Sequence, residues 1–276
     1  DSSTPPSSNP VTRVTIDDDN GFVGDAERKA VAFTVTNLDE GATAVVTFTD
    51  ESESSEPVTE SVDADGSSTA DLSSLADGTI TATIEITDAE GNKTAGEGDT
   101  TTLDTTAPSI TVDSVASDNA DTSLAKVGDT VTVTFTTDGS DDGTLTATIL
   151  GKTATVASTG TANEYTATYT LVSGDAEGSL SFELTAQDAA GNSVTSDQTA
   201  FGGTNITVDT TAPIITIDSV SSDNSNDTTL ATIGDTVTVT FTTDGTEDTA
   251  PTATILDKTA TVASTGTANE YTATYT

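Results

Sequence analysis

Hydrophobic and polar residues alternate along several short stretches of the chain. In the segment TVTVTFT, Val131, Val133 and Phe135 share one face, while the threonines between them share the other. Successive side chains of a β-strand point to opposite faces, so a period of two predicts a half-buried strand. The same alternation recurs in segments 80–86, 165–169 and 180–186. The pattern therefore predicts strands throughout the chain.

Turn-forming pairs such as Asp-Gly, Ser-Gly and Gly-Asn separate these stretches, and no stretch of useful length shows the 3.6-residue period of a helix. Threonine occupies most of the outward positions, where a β-branched polar side chain suits a solvated strand face. We therefore predict an all-β fold made of tandem immunoglobulin-like, antiparallel β-sandwich domains, each with about seven strands.

Internal repetition is the strongest signal in the sequence. The block TATVASTGTANEYTATYT occurs twice without change, and two further blocks, TTAPxITxDSV and GDTVTVTFTTDG, also recur. The copies lie at 105–115 and 210–220, at 128–139 and 234–245, and at 153–170 and 259–276. A repeat of this length is one ordinary domain and is far longer than the unit of a solenoid. Each copy is therefore expected to have its own core.

The repeat divides the chain into four parts. Residues 1–10 are predicted to be a flexible Ser/Pro linker, 11–104 a diverged first domain, 105–209 a second domain and 210–276 a third. The third copy lacks counterparts of Leu171–Asp209, so we expect it to be an incomplete sandwich. Either a continuation of the chain, which we favour, or strands from a neighbouring molecule would complete it.

Composition narrows the possible functions. The chain has 46 acidic and 7 basic residues, with a formal net charge of −39. Such a charge is also typical of disordered chains, but the periodic pattern argues for folding. It makes nucleic acid and anionic membranes improbable partners and favours cations. No apolar stretch reaches the length of about 20 residues of a membrane span, and we expect no membrane insertion.

Cysteine and histidine are absent from the sequence. Their absence excludes thiol nucleophiles, serine–histidine pairs and the usual zinc sites. Carboxylates and tyrosines still permit acid–base chemistry, but no motif points to it, so we do not expect an enzyme. The absence of disulfides leaves bound metal as an additional source of stability.

Aspartate and asparagine recur at the predicted domain ends. We predict that those near the first boundary form one group: Asp88, Asn92, Asp104, Asp113, Asp118 and Asn119. Those near the second boundary are predicted to form an equivalent group: Asp188, Asn192, Asp209, Asp218, Asp223 and Asn224. Asp17 aligns roughly with Asp113 and is a candidate for an end site of the first domain.

Converging oxygen ligands suit Ca²⁺, which accepts six to eight of them in flexible geometry, better than Mg²⁺. The hypothesis is a structural Ca²⁺ at each junction that neutralises the carboxylates and aligns adjacent domains. The alternative for each residue is local. The aspartate of DAxGN is also a favoured turn residue, that of DTTAP a solvated linker charge, and Asp118–Asn119 an Asx-turn.

Together, the DTTAP, TDAxGN and GDTVTVTFT…NEYTATYT blocks resemble the tandem Ig-like repeats of large bacterial surface adhesins of the biofilm-associated and repeats-in-toxin types. The resemblance covers about 11–276. It implies extender regions that are exported to the cell surface and rigidified by interdomain Ca²⁺. It further implies that Asp88, Asp104, Asp188 and Asp209 match junctional positions. Further repeats of the same protein, or neighbouring copies in a surface assembly, are the implied partners.

The sequence thus predicts an extracellular structural spacer, an adhesin stalk or a component of a surface filament, sheath or biofilm. The alternative is a module that binds carbohydrate or another cell directly. Aromatic side chains that stack on sugars are scarce, with no tryptophan and four tyrosines. Near-identical repeats also favour the mechanical role, because a specific binding site needs only one copy.

Overall fold

The computed structural model describes residues 11–52, 55–140, 143–203, 205–245 and 250–276. The linker expected at 1–10 lies outside these ranges. The chain divides into two compact units, Asp1–Asp209 and Thr210–Thr276, which are described separately. The first unit contains two hydrophobic cores, which we assign to domain 1 (11–104) and domain 2 (105–209).

Strands make up nearly all of the regular secondary structure of the described residues. Their one helix, α1 (Gln198–Phe201), has a single turn. No helix in the described part of the chain has the length and apolarity needed to cross a membrane.

Domain 1 is a sandwich of two antiparallel-rich sheets. Its strands, within the described residues, are β1 (Arg13–Ile16), β2 (Phe22–Val23), β3 (Val31–Thr36), β4 (Thr43–Asp50), β5 (Val58–Val62), β6 (Gly66–Ala70), β7 (Gly78–Thr87), β8 (Lys93–Ala95) and β9 (Asp99–Leu103). One sheet has the order β1-β3-β6. The other has the order β2-β9-β7-β4-β5, and β8 pairs with β7.

The core of domain 1 forms where the apolar faces of these sheets meet. In β7 every second residue is buried, as the alternation of isoleucine and alanine with threonine and glutamate predicts. Phe33 of β3 and Phe48 of β4 are fully buried and meet edge to face, with ring centroids 5.4 Å apart. Aromatic pairs of this geometry add to the stabilisation given by burial alone.

Domain 2 has the same architecture. Its described strands are β10 (Ile110–Ser117), β11 (Leu124–Ala125), β12 (Thr130–Thr137), β13 (Thr144–Ile149), β14 (Lys152–Thr153), β15 (Thr155–Ser158), β16 (Glu164–Thr170), β17 (Gly178–Ser179), β18 (Phe182–Gln187), β19 (Ser193–Asp197) and β20 (Thr207–Val208). They form sheets of order β10-β12-β16-β15 and β14-β13-β18-β19, and a three-stranded sheet β11-β20-β17.

The core of domain 2 lies between its two four-stranded sheets. Val131, Val133 and Phe135 of β12 are buried, and the threonines that alternate with them are half-buried on the opposite face, as the sequence pattern predicts. The residues that cover them come largely from the last third of the domain: Leu171, Leu180, Phe182, Leu184, Ile206 and Val208.

The second unit, 210–276, repeats the first sheet of domain 2. Its described strands are β21 (Ile215–Ser222), β22 (Val237–Thr243), β23 (Thr254–Ile255), β24 (Lys258–Thr259), β25 (Thr261–Ser264) and β26 (Glu270–Tyr275). They form a sheet of order β21-β22-β26-β25 and a two-stranded sheet of β23 and β24. Large apolar side chains of this unit are exposed: Ile214, Ile215, Ile217, Val220, Leu230, Ile233 and Leu256. The prediction of an all-β fold built of antiparallel sheets is confirmed.

Candidate functional site at the junction of domains 1 and 2

The loop between β18 and β19, with the sequence DAAGN, is fastened by its own first and last residues. Both carboxylate oxygens of Asp188 accept hydrogen bonds from Asn192, one from the backbone N–H and one from Nδ2, each at 2.8 Å. Gly191 adopts a φ of 88°, which an L side chain rarely tolerates. The loop is therefore a preformed turn whose asparagine side chain has a fixed orientation.

Asn192 connects this loop to domain 1. Its Nδ2 also donates to the carbonyl of Asp104 at 2.8 Å, and its Oδ1 accepts the backbone N–H of Asp25 at 2.8 Å. Asn192 is only 8% exposed. Buried hydrogen bonds of this kind are costly to leave unmade, because the groups that lose a partner stay desolvated. One carboxamide thus bonds to both domains.

Domain 1 contributes two further contacts. Asn20 donates its Nδ2 to the carbonyl of Ala189 at 2.8 Å. Gly24 lies so close to the loop that a Cβ built on it would come within 2.3 Å of the carbonyl oxygen of Ala190. No other residue type can occupy that position without moving backbone apart, so Gly24 is what permits the close approach.

The linker between the domains is held at its domain 1 end by Asp77, which lies just before β7. The Thr105 side chain donates to Asp77 Oδ1 at 2.8 Å, and that of Thr106 to Oδ2 at 3.1 Å. The carboxylate of Asp104 itself accepts the backbone N–H of Thr106 at 3.0 Å. Threonine hydroxyls and aspartates therefore shape the linker, and Pro108 adds a fixed φ.

Asp138, after β12, holds the other end of the linker. Its Oδ2 accepts the backbone N–H of Ser109 at 2.9 Å, and its Oδ1 accepts the hydroxyl of Ser140 at 2.6 Å. These hydrogen bonds, led by that from the Ser140 side chain, lower the pKa of Asp138 from 3.8 to about 2. The carboxylate is thus kept ionised where it fastens the start of domain 2.

The structure regroups the predicted site residues. Asp88 and Asn92 lie on the hairpin loop after β7. Asp104, in contrast, follows β9, whose last residue, Leu103, pairs with Gly78 at the opposite end of β7. Ten residues of strand, about 33 Å at roughly 3.3 Å per residue, separate these ends. The first predicted group is therefore wrong as a cluster: Asp104 meets the loop of the following domain instead.

The members of the second predicted group likewise lie at opposite ends of a strand. Asp188 lies on the loop after β18, while Asp209 follows β20, whose Val208 pairs with Gly178 at the far end of the connected β17–β18 segment. Asp118 also lies at that far end, directly after β10, and its Oδ1 accepts the N–H of Thr130 at 2.7 Å. Asp209 and Asp118 therefore share an end of domain 2, away from Asp188.

Asp118 and Asn119 have the local role that the alternative interpretation gave them. Asn119 Oδ1 accepts the N–H of Asp121 at 3.1 Å, which is an Asx-turn, and its Nδ2 donates to Asp129 at 2.7 Å. This hydrogen bond from Asn119 is the largest of the causes that lower the pKa of Asp129. Asp223 and Asn224 repeat these contacts in the second unit, with Thr236 and Asp235 as partners.

Asp113 and Asp218 have a different role in their strands. Each is skipped in the pairing between the first two strands of its repeat, at a shift of register between Val112 and Ser114 and between Ile217 and Ser219. They are therefore β-bulge residues, and both are exposed. Asp17 follows β1, whose pairing with β3 shows no register shift, and it accepts a hydrogen bond from the Thr34 hydroxyl at 3.0 Å.

The described carboxylates do not fit a metal centre made of several acidic side chains. No group of three or more Asp or Glu residues among the residues that the structure describes could hold a metal ion. Around the junction, Asp77, Asp104, Asp138 and Asp188 all accept hydrogen bonds from the protein. Calcium binding by the predicted residues stays a prediction.

Four residues that form the junction are not among the predicted site residues: Asn20, Gly24, Asp77 and Asp138. Asp138 was visible as part of a repeated Asp-Gly turn signal, although its bond to the linker was not. Asn20 and Gly24 belong to no repeated motif, and the loop that they contact lies almost 170 residues away in the chain. Only the tertiary structure identifies them.

Comparison with known families agrees with this architecture. A family model described as bacterial Ig-like domain (group 3) matches residues 65–196 and 163–256, which together cover more than half of the chain. The chain therefore belongs to the bacterial Ig-like domain (group 3) family. No curated protein matches it.

Several solved structures are similar to the chain. One is a tetra-tandem repeat from the extending region of a large adhesion protein, with 25% identity and a TM-score of 0.31; the match covers 96% of this chain and 62% of that one. Another is from a 1.5-MDa bacterial ice-binding adhesin, with 22% identity, a TM-score of 0.39 and coverage of 96% and 85%. Fibronectin(III)-like modules of Clostridium thermocellum CbhA show 14% identity, a TM-score of 0.37 and coverage of 71% and 93%. The chain thus spans less than two thirds of the first of these.

Proposed function

We propose that this chain is a spacer segment of an extracellular bacterial surface protein, an adhesin stalk or extender that holds another module away from the cell. The observation that carries the proposal is the junction of domains 1 and 2. Asn192, Asn20 and Gly24 fit one domain end against the next loop, and Asp77 and Asp138 fasten both ends of the linker.

A junction of this kind serves a mechanical role. Relative motion of neighbouring domains is the default when few contacts cross a linker. Here the crossing contacts include a nearly buried carboxamide with a partner on each side, so bending requires that desolvated polar groups lose their hydrogen bonds. Membership of the bacterial Ig-like family supports the same role. Further repeats, in the same protein or in neighbouring copies, are the proposed partners.

Residual dipolar couplings of the full chain test the proposal. In a rigid spacer, the amides of domains 1 and 2 report one common alignment tensor, and Asn192→Ala divides it into two. Asn92→Ala is the matched control, because it removes the same side chain from the exposed copy of the loop. Two independent tensors in the wild-type chain would overturn the proposal.

Calcium is tested in the same measurement. We infer that hydrogen bonds between protein groups hold the junction of domains 1 and 2, so removal of calcium with a chelator is expected to leave the common tensor unchanged. Loss of the common tensor on chelation, and its recovery with Ca²⁺ but not with Na⁺, would instead support a calcium site. Na⁺ at comparable ionic strength is the control, because it screens exposed carboxylates but does not coordinate them.

A further inference from the structure

The hairpin loop after β7, with the sequence DAEGN, has the same internal structure as the loop that docks on domain 1. Asp88 accepts the N–H and the Nδ2 of Asn92, each at 2.8 Å, and Gly91 has a φ of 90°. The Asn92 side-chain bond is the largest of the causes that lower the pKa of Asp88. The two loops thus present the same atoms.

The surroundings of the two loops differ. Asn192 is buried, whereas Asn92 is exposed. Within the described residues, Asn92 Oδ1 accepts no hydrogen bond and Nδ2 donates only to Asp88. Asn192 binds domain 1 through its Oδ1 and the second hydrogen of its Nδ2. In the part of the chain that the structure describes, these two groups have no partner on Asn92.

The chain also enters domain 1 as it enters domain 2. β1 begins by pairing Arg13 with Thr36 at the end of β3, as β10 begins by pairing Ile110 with Thr137 at the end of β12. After β3, Asn37 donates its Nδ2 to the carbonyl of Val11 at 3.2 Å, where Asp138 binds the linker in domain 2. Arg13 also forms a parallel bridge with Glu97, so the chain that enters β1 runs alongside the segment that follows the loop 88–92. The loop 88–92 therefore lies at the end of domain 1 where the chain enters, as the loop 188–192 does in domain 2.

From this correspondence we propose that the loop 88–92 is a docking surface for the C-terminal end of a preceding Ig-like domain. That domain would offer a backbone N–H and C=O to Asn92, at the places of Asp25 and Asp104, and a glycine at the place of Gly24. The inference rests on the proposed spacer function and extends it to a second junction.

One substitution sets the tightness of this docking. Ala190, nearly buried in the loop of domain 2, is replaced by the exposed Glu90 in the loop of domain 1. A glutamate there adds bulk and a negative charge against a domain end that, in domain 1, carries Asp25 and Asp104. Like charges repel at short range, so Glu90 weakens docking without removing the hydrogen-bonding groups.

The test places a second copy of residues 11–107 directly before Val11 of the full chain, so that Val11 takes the position of Pro108. Segmental isotope labelling distinguishes the copies, and hydrogen exchange is measured at the amide of Asp25 in each. In the added copy, we expect the exchange of this amide to be slowed at least tenfold by docking. Asn92→Ala in the original copy is expected to abolish this protection, and Glu90→Ala in the original copy to increase it.

Asn192→Ala supplies the internal comparison, because it should expose only the Asp25 amide of the original copy. If that amide responds to Asn192→Ala while the added copy is unprotected or indifferent to Asn92→Ala, the docking surface is wrong and the spacer function stands. If the original amide is indifferent to Asn192→Ala, the junction itself is not held as proposed, and both ideas fail.

Discussion

The first sheet of domain 2 and the sheet of the second unit are nearly the same in sequence and pairing, but they differ in burial. β12 pairs Val133 with Ala167, and β22 pairs Val239 with Ala273 in the same register. Val133 is completely buried, whereas Val239 is half-buried. Local sequence therefore fixes strand, turn and register, and the second sheet determines how much of the apolar face leaves water.

The β-bulge shows how strictly the local part is repeated. The register shifts at Asp113 and again at Asp218, although the first of these sheets has a buried face and the second is largely open. Asn163 and Asn269 likewise share a left-handed backbone, with φ of 60° and 61°. Such features follow from the sequence alone and do not require a complete core.

The largest expected effect comes from a substitution in β18, which belongs to the sheet that covers the apolar face of β12 in domain 2. Phe182 of β18 is nearly buried and lies edge to face with Phe201, 6.5 Å away. Phe182→Ala should destabilise domain 2 by about 3–5 kcal/mol, since it removes buried apolar surface and leaves a cavity. The measurement is hydrogen exchange in urea, followed in peptides that begin at Leu124 and Leu230, whose sequences differ.

The second unit supplies the internal reference for Phe182→Ala, because its peptide should exchange as in the wild-type chain. Glu183→Ala, on the exposed side of the same strand, is expected to change stability by less than about 0.5 kcal/mol. Equal loss of protection in both peptides would mean that the two sheets do not depend on separate cores.

A matched pair of smaller truncations measures the comparison directly. Val133→Ala is expected to cost about 1.5–3 kcal/mol, as for a fully buried side chain of this size. Val239→Ala should cost less, because the wild-type side chain is already partly exposed to water. Equal values of the free energy of unfolding for the two variants, from the same exchange experiment, would contradict the role given to the second sheet.

The third expected effect on stability comes from removal of the Tyr169 hydroxyl group. Tyr169 donates to the buried carboxylate of Asp175, at 3.2 and 3.1 Å from its two oxygens, and Val172 N–H donates to the same group. Burial, and then this carboxylate, raise the pKa of Tyr169. Tyr169→Phe should cost domain 2 about 1–3 kcal/mol, because it leaves a buried acceptor short of a donor.

Tyr275 is the control for that variant, since it occupies the equivalent place in β26 and its hydroxyl group has no hydrogen-bond partner among the described residues. Tyr275→Phe should leave the urea midpoint of its unit unchanged. A comparable loss in both variants would show that the effect does not come from the hydrogen bond between Tyr169 and Asp175.

The smallest effect depends on pH. The pKa of Asp138 falls from 3.8 to about 2 on folding, so its contribution is fully present above pH 4 and is lost as the pH falls toward 2. The exposed position of this aspartate limits the size of the effect. Asp138→Ala should therefore flatten the dependence of domain 2 stability on pH in this interval, as measured by urea midpoints. An unchanged slope would contradict the assignment.

The strands, the repeat and the sandwich fold could be predicted because they depend on short-range pattern. The alternation of Val131, Val133 and Phe135 with threonine holds in the structure residue by residue. The turn role of Asp88 and Asp188 was also available from the sequence as an alternative, because an aspartate, a glycine and an asparagine at this spacing favour a closed turn.

The arrangement of the junction could not be predicted by nearness in sequence. Two strands, β8 and β9, separate the loop 88–92 from Asp104, and together they carry the chain along β7 to the opposite end of the sandwich. Counting how often the chain passes from one end of the sandwich to the other would have placed Asp104 beside Asn192. The role of Gly24 was beyond any such count, because a missing Cβ matters only when another backbone lies against it.

Each sandwich of the first unit contains a short parallel pair, β2 with β9 in domain 1 and β11 with β20 in domain 2. The first strand of each pair follows soon after the chain enters the domain, and the second precedes its exit. Tension along the chain pulls these two strands in opposite directions along their common axis. Their hydrogen bonds are then loaded together in shear, so the domain resists stretching as a unit and does not open one bond at a time.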